Sequence, residues 1–319
     1  MDHTNMSAVN NFIISGISDD AMIQVTIFLL VFIIYLLTLG GNLTILLLVS
    51  QDTQLHTPMY FFLCNLSILD IISATNNLNH ILISFVSGDR TVSVLRCIMQ
   101  IFIFLSLTCG ELLILAVMGY DRYVAVCNPL RYHMIMSDRI CALLAMLCWV
   151  LGTVESIPIF WELLKFSCYK SNMINHFFCD IMPVLTLSCS ETHFLDLYIL
   201  TIGVGISAFS PCVITFISYV FIIATILKIQ STTGRHKAFY TCSSHLTVVI
   251  LLYTTLAIQY MRPHSLVNLD SNKLISLFNT AALPILNPLI YSLKNKDVKD
   301  ALLKRLRFSI IMNHKDSKI

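Results

Sequence analysis

The stretch MGYDRYVAVC, Met118 to Cys127, begins near the end of an apolar run that starts around Cys97 and closes on the edge of a polar segment. A helix needs about 20 mostly apolar residues to cross the roughly 30 Å of bilayer hydrocarbon. The run qualifies, so the charged triplet Asp121-Arg122-Tyr123 marks the point where a span meets water. Working outward, the composition agrees: 319 residues, 56% hydrophobic and only 12% charged, with a mean hydropathy of +0.78. That balance excludes an ordinary soluble domain. Seven runs of spanning length appear, approximately Ile23 to Val49, Pro58 to Val86, Cys97 to Val126, Arg139 to Trp161, Leu197 to Leu227, Ala238 to Met261 and Leu274 to Leu293. The expectation is an all-α membrane protein: a tail over 1–22, a seven-helix bundle over 23–293 and a second tail over 294–319.

Lys and Arg are retained on the cytoplasmic side, and an odd number of spans puts the termini on opposite faces. With the C-terminus inside, Arg122, Arg131, Arg139, Lys228, Arg235, Lys237 and the basic residues from Lys294 onward face the cytosol. Arg90, Arg96, Lys165, Lys170, Arg262 and Lys273 face out. The first 22 residues hold Asp2, Asp19 and Asp20 but no Lys or Arg, which suits an outside N-terminus, and the first span is expected to act as its own signal anchor. This predicts a multi-pass plasma-membrane protein.

The same topology sorts the 11 cysteines. Cys97, Cys168, Cys179 and Cys189 fall in the oxidising compartment, where three pairings are open to them. The other cysteines lie in or below the membrane, where cysteine is a small hydrophobe by default. Asn5-Met6-Ser7 is an accessible glycosylation sequon, whereas Asn42-Leu43-Thr44 and Asn65-Leu66-Ser67 fall inside helices. After Leu293, Val298, Ala301, Leu302 and Leu306 share one helical face opposite basic residues, the pattern of a helix lying on the membrane surface.

Read together, these features identify the chain as similar to odorant receptors of the rhodopsin-like G-protein-coupled class. The residues that carry the resemblance are Gly41-Asn42, LHTPMYFFLCNLSILD from Leu55 to Asp70, MGYDRYVAVC, NPLRYHMIMS from Asn128 to Ser137, Ser218-Tyr219, KAFYTCSSHLTVV from Lys237 to Val249 and PILNPLIYSLKNKDVKDAL from Pro284 to Leu302. Each alone is weak; in order, each in its expected segment, they are specific. Gly119 and Tyr240 depart from the commoner residues without changing a charge. The resemblance implies disulfides Cys97 to Cys179 and Cys168 to Cys189, the first tying segment three to the second external loop as a lid. It also implies a small volatile ligand and a heterotrimeric G protein of the olfactory stimulatory type, which raises cyclic AMP.

Carried over one position at a time, the resemblance implies G-protein coupling and activation roles for Asp121, Arg122, Tyr123, Tyr219, Asn287, Pro288 and Tyr291. Segment six offers no carboxylate to Arg122, since the stretch reads Arg235-His236-Lys237, so Asp121 must neutralise it. Tyr219 and Tyr291 are expected as hydroxyl partners when segment six moves. Asp70, Glu111 and Asn287 match positions around a sodium ion. A carboxylate near the bilayer centre costs roughly 2.5 kcal/mol or more, and two adjacent acids resist double ionisation, so either a cation sits there or one acid holds a proton. A purely structural polar knot accounts for them equally well.

For the ligand, the resemblance implies Phe104 and Thr108 on segment three, Gly203 and Ser207 on segment five, Tyr253, Ala257 and Tyr260 on segment six and Thr280 on segment seven. Helical spacing lets each set share a face, although plain helix packing places them as readily. Such a cavity is mostly apolar with a few hydroxyls. It favours a small, neutral, hydrophobic ligand over an amine, with Glu155 expected to point at a neighbouring helix or the interface. His176 and Cys179 form HxxC, but two ligands do not make a metal site. No Walker loop, HExxH or hydrolytic triad supports an enzyme, and nothing points to nucleic acid. A ligand-gated channel or small transporter is the alternative; it needs a continuous polar path or an inverted repeat, and neither is visible.

Overall fold

The computed structural model describes residues 9–16, 20–260, 273, 276–294 and 298–305. Among them, six helices are long and apolar enough to cross a bilayer, and a shorter apolar helix spans Phe278–Ile290. The architecture is the helical bundle expected from the seven apolar runs. Helices over the first four runs extend one to a few residues past them.

Helix α1 (Ala21–Gln51) starts where Asp20 accepts hydrogen bonds from the backbone N–H groups of Met22 and Ile23, satisfying donors that a helix start leaves open. It buries a narrow seam, Val31, Thr38, Asn42, Ile45 and Leu48. Leu29, Leu30, Ile33, Leu36, Leu37 and Leu47 stay exposed. That arrangement is costly in water and costs nothing against lipid. Helix α2 (Pro58–Ser87) opens on a proline at its first turn and closes on Gly88 at φ 71°, the left-handed stop that glycine accepts without strain. Helix α3 (Val94–Cys127), capped by Ser93, carries buried residues along most of its length, from Cys97 to Val124. It packs against α2 and against the helices over Asp138–Leu164 and Phe209–Leu227, with that over Thr232–Tyr260 beside it, which makes it the axis of the bundle.

A short helix α4 (Tyr132–Ile135) leads into α5 (Asp138–Leu164). The α3–α5 contact is backbone on backbone: a Cβ built on Gly152 would lie 2.6 Å from the Ser106 carbonyl oxygen and 2.9 Å from the Gly110 nitrogen. Small residues give membrane helices this close approach. The short helices α6 (Ile181–Leu187) and α7 (His193–Tyr198) follow. A π-helical stretch, Ile199–Ala208, then joins α7 to α8 (Phe209–Leu227) as one span. The chain continues as α9 (Thr232–Tyr260), and a second π-helical stretch, Phe278–Ala282, precedes α10 (Leu283–Lys294). Both wide stretches end just before a proline, Pro211 and Pro284. A proline has no N–H to give and its ring crowds the preceding turn, so the turn before it widens. The prolines expected to kink segments five and seven therefore act on the turns ahead of them.

The N-terminal region holds an element that its sequence did not suggest. Strand β1 (Asn11–Ile14) pairs antiparallel with β2 (Thr91–Ser93) and parallel with β3 (Met173–Ile174). Phe12 and Ile14 point inward against Val92, Ile98, Tyr169 and Ile174, so part of the presumed tail closes one end of the bundle. Residues 298–305 are helical, with Val298 and Ala301 buried and Lys304 Nζ 3.9 Å from Asp52 Oδ2. Leu306 and the sequon at Asn5 lie outside the described residues.

Candidate functional site

Four groups of polar side chains lie at successive levels along α3. At its C-terminal end, Arg122 Nε and Nη2 both donate to Asp121 Oδ2, at 2.9 and 2.5 Å. The other carboxylate oxygen accepts the Tyr132 hydroxyl at 2.7 Å. Asp121 is fully buried while Arg122 keeps 13% of its side chain exposed, so the pair is a desolvated acid under a cation that still reaches the rim. Burial first, then the Asp121 carboxylate beside it, pushes the Tyr132 phenol up, which keeps it a donor. Tyr132 was not singled out by sequence. It lies 11 residues from Asp121 across a helix break, and no periodicity links the two.

Tyr123 packs against Phe221 at a ring distance of 5.9 Å. Tyr219 has hydrogen-bond partners on α9. Its hydroxyl lies 3.0 Å from the Cys242 carbonyl and 2.9 Å from His245 Nδ1, and His245 Nε2 lies 3.0 Å from the Leu115 carbonyl. This tie joins α3, α8 and α9 through two buried side chains, and His245 was missed in the sequence. The side chain of Tyr291 lies outside the described residues.

Half-way along α3, Asn287 Nδ2 on α10 donates to both oxygens of Asp70, at 3.1 and 3.0 Å. Glu111 is close enough to act on Asp70 electrostatically. Asn287 Oδ1 and Ser67 Oγ are buried without hydrogen-bond partners among the described residues. Carboxylate, amide and hydroxyl oxygens make a donor set that suits a hard cation or a shared proton. Pro288 presses on Gly41, where a Cβ would stand 3.0 Å from its ring, and Asn42 Nδ2 donates to the Pro284 carbonyl at 3.1 Å. The sequence pair Gly41-Asn42 thus holds the proline-bearing helix.

One turn beyond the Gly152 contact, Glu155 reaches α3 and the wide stretch before α8. Its Oε2 accepts from Cys109 Sγ at 3.1 Å, its Oε1 is hydrogen-bonded to Ser207 Oγ, and its backbone carbonyl accepts the Tyr198 hydroxyl at 3.0 Å. From sequence this wall carries hydroxyls and no charged anchor, with Glu155 expected to point at a neighbouring helix or the interface; in the structure its side chain crosses to Ser207. The reason is the glycine contact, which places α5 near enough to α3 for a side chain to cross.

Nearest the sheet, Phe104 meets Phe178 edge-on at 5.5 Å, with Phe177 alongside. The segment carrying these rings is held by Cys97–Cys179 and Cys168–Cys189, each with Cα atoms 5.4 Å apart, the pairs implied by the resemblance. Gln100 clasps it further. Its side chain donates to the Asn76 carbonyl at 2.7 Å and accepts the Cys179 N–H at 3.1 Å. Burial holds the His176 imidazole down to about 4, with Lys273 adding to the effect, and pushes the Asp180 carboxyl up to about 6.

Thr108 and Thr280 spend their hydroxyls on backbone carbonyls of their own helices, Phe104 O and Ser276 O, so their methyl faces are what a neighbour would meet. Tyr253 carries a buried hydroxyl without a hydrogen-bond partner among the described residues. Gly203 lies within the wide stretch and Ala257 on α9. The side chain of Tyr260 lies outside the described residues. No group of three metal-ligating side chains occurs among them either.

Comparison with known proteins converges on one family. A model described as olfactory receptor matches residues 31–308. The chain is 44% identical over 304 residues to olfactory receptor 5G25 of Mus musculus, covering 95% of each protein. It is 42% identical over 304 residues to olfactory receptor 5AR1 of Homo sapiens, covering 95% of this chain and 98% of that one. Against olfactory receptor 8D1 of Homo sapiens it is 41% identical over 302 residues, with the same coverage.

Proposed function

Because the chain belongs to the olfactory receptor family, a family of multi-pass membrane receptors and not of enzymes, we propose that it binds a small hydrophobic odorant and activates a heterotrimeric G protein that raises cyclic AMP. The observation that carries the coupling half is the Asp121–Arg122–Tyr132 arrangement. Arg122 is ion-paired to its neighbour Asp121, and Thr232–Tyr260 contains no carboxylate, so outward movement of α9 breaks no ion pair, and the exposed edge of the guanidinium stays available to a transducer. The positive-inside bias of the loops supports an orientation with this end in the cytosol and the disulfide-bonded end outside.

The ligand lies between the Phe104–Phe178 contact and the unpartnered hydroxyl of Tyr253. A buried hydroxyl without a partner costs about 1–3 kcal/mol, which a ligand oxygen or nitrogen recovers. Asp70, Asn287 and Glu111 hold a sodium ion or a proton that biases the bundle toward rest. Ligand preference for the active bundle then shifts the two-state equilibrium by no more than its differential binding energy.

Cyclic AMP in cells expressing the chain, screened against volatile compounds, tests the reading. Arg122→Ala at equal surface expression abolishes the response. A ligand-dependent signal that survives Arg122→Ala, or a current that persists without G protein, overturns it.

A further inference from the structure

Glu155 is an acid in a membrane-spanning helix, and acids there need a proton, a cation or a set of hydrogen-bond donors. Its partners are a thiol, Cys109 Sγ at 3.1 Å, and a hydroxyl, Ser207 Oγ. Among the described residues no Lys, Arg or His forms an ion pair with it. The contacts also contain one more acceptor than the hydroxyl can serve. Ser207 Oγ lies against Glu155 Oε1 and 3.0 Å from the Ile202 carbonyl, yet a serine has a single proton to give. Glu155 Oε1 and the Ile202 carbonyl therefore share one hydroxyl proton, and no cation among the described residues neutralises the acid.

The surroundings say what would supply both. Glu155 lies on the seam between α3, α5 and the wide stretch Ile199–Ala208. Ser207, Gly203 and Thr108 are side chains or positions that the family resemblance assigns to the ligand, and Cys109 follows Thr108 directly. We infer that Glu155 is the anchor for a ligand bearing a protonated amine, with Cys109 holding Oε2 in place and Ser207 occupying Oε1 until the amine arrives. This rests on the receptor reading above and names the ligand class for it. An ammonium at Oε1 brings the missing charge and up to three N–H donors. Ser207 then turns its single proton to the Ile202 carbonyl, so each group that an arriving amine displaces has a partner waiting. The alkyl body of the ligand lies along apolar wall, as the composition of the site requires.

The experiment uses primary alkylamines of four to eight carbons and the alcohols of the same skeletons. These are applied to the full-length receptor in cells, read as cyclic AMP, and to the purified receptor in detergent, read as thermal stabilisation. Amines are expected to act at concentrations about 10- to 100-fold lower than matched alcohols, the range for a hydrogen bond to a charged group. Glu155→Gln is expected to remove that preference while the alcohols keep their potency within about threefold. Should Glu155→Gln fail to reach the surface, Ser207→Ala decides, because freeing Oε1 leaves the amine preference intact or larger. Alcohols as potent as amines, an amine effect that survives Glu155→Gln, or an amine preference lost in Ser207→Ala each overturns the assignment. Amine-dependent stabilisation of the purified receptor that disappears in Glu155→Gln, without any cyclic AMP response, keeps the anchor and removes the signalling reading.

Discussion

Tyr132 donates its hydroxyl to Asp121 Oδ1 at 2.7 Å, while Arg122 occupies Oδ2. One carboxylate thus satisfies a cation on its own helix and a phenol from the following loop, and the loop becomes part of the resting arrangement. Removing the hydroxyl leaves Asp121 fully buried with one oxygen unserved. Tyr132→Phe is expected to lower the resting-state preference by about 1 kcal/mol, and so to raise the basally active fraction roughly fivefold. Ligand-free cyclic AMP at matched surface expression measures it. Basal signalling equal to wild type would show that Tyr132 contributes packing alone.

Two glycines separate close packing from spare space. A methyl group on Gly152 would stand 2.6 Å from the Ser106 carbonyl oxygen, whereas one on Gly40 meets nothing within 4 Å. Gly152→Ala must push α5 off α3 and is expected to cost about 1–3 kcal/mol, as overpacking does. Gly40→Ala, in a helix interior, is expected to be neutral or to stabilise by up to about 1 kcal/mol. Melting of the purified variants distinguishes them, and equal melting points would refute the backbone contact. Because Glu155 lies one turn from Gly152, the destabilised variant should also lose the amine preference inferred above.

The contrast explains what sequence could and could not reveal. Apolar run length gave the spans and their order, since crossing a bilayer constrains every one of them. The motif positions gave Asp121, Arg122, Asp70 and Asn287, all of which the structure places in polar contacts. Strand β1 was not legible because Asn11–Ile14 is too short to show an alternation, and its partners lie 80 and 160 residues away. Tyr132 and His245 were illegible as partners for a related reason, and Glu155, expected to point at a neighbouring helix or the interface, had no legible partner. Each acts across a helix–helix interface whose spacing is set by backbone approach, at Gly152 for example, and one sequence carries no trace of that distance. The two π-helical stretches have a legible cause, a following proline, but a proline predicts a disturbance without saying whether it becomes a kink or a wide turn.

The lid segment carries two titrating groups with opposite effects on stability. Asp180 has its carboxyl raised by burial to about 6, so between its ordinary range near 4 and 6 the folded lid holds a proton that the unfolded chain has lost. Stability then falls as pH rises through that window. His176 is lowered to about 4 by burial and then by Lys273. Between 4 and its ordinary range near 6.5, the unfolded chain binds the extra proton, and stability rises with pH. In the intact protein the slopes oppose each other between pH 4 and 6. Asp180→Asn is expected to leave a lid that grows more stable across that range, and His176→Phe one that grows less stable. Thermal melts of both variants at pH 4, 5 and 6 check the signs; parallel slopes in the two would show that neither group titrates in the lid.

Gln100 offers the sharpest test of what holds that lid apart from its disulfides. Its amide oxygen accepts the Cys179 N–H at 3.1 Å and its amide nitrogen donates to the Asn76 carbonyl at 2.7 Å. Asn76 returns a bond from its own side chain to the Gln100 carbonyl at 3.1 Å. Gln100→Met keeps the volume but orphans one buried donor and one buried acceptor, at a cost of about 1–3 kcal/mol each. Asn76→Leu removes the reciprocal bond and the Asn76 Nδ2 bond to Asn77 Oδ1 at 3.0 Å, and leaves the Cys179 contact in place. Amide exchange at Cys179 should therefore accelerate in Gln100→Met and stay near wild type in Asn76→Leu, although both variants melt earlier. The distinction matters for ligand entry, because Cys179 follows Phe178, the ring that covers Phe104. If loosening Cys179 in Gln100→Met also speeds ligand association without changing the response to saturating ligand, the clasp sets access to the site; unchanged association with faster exchange would confine its role to folding.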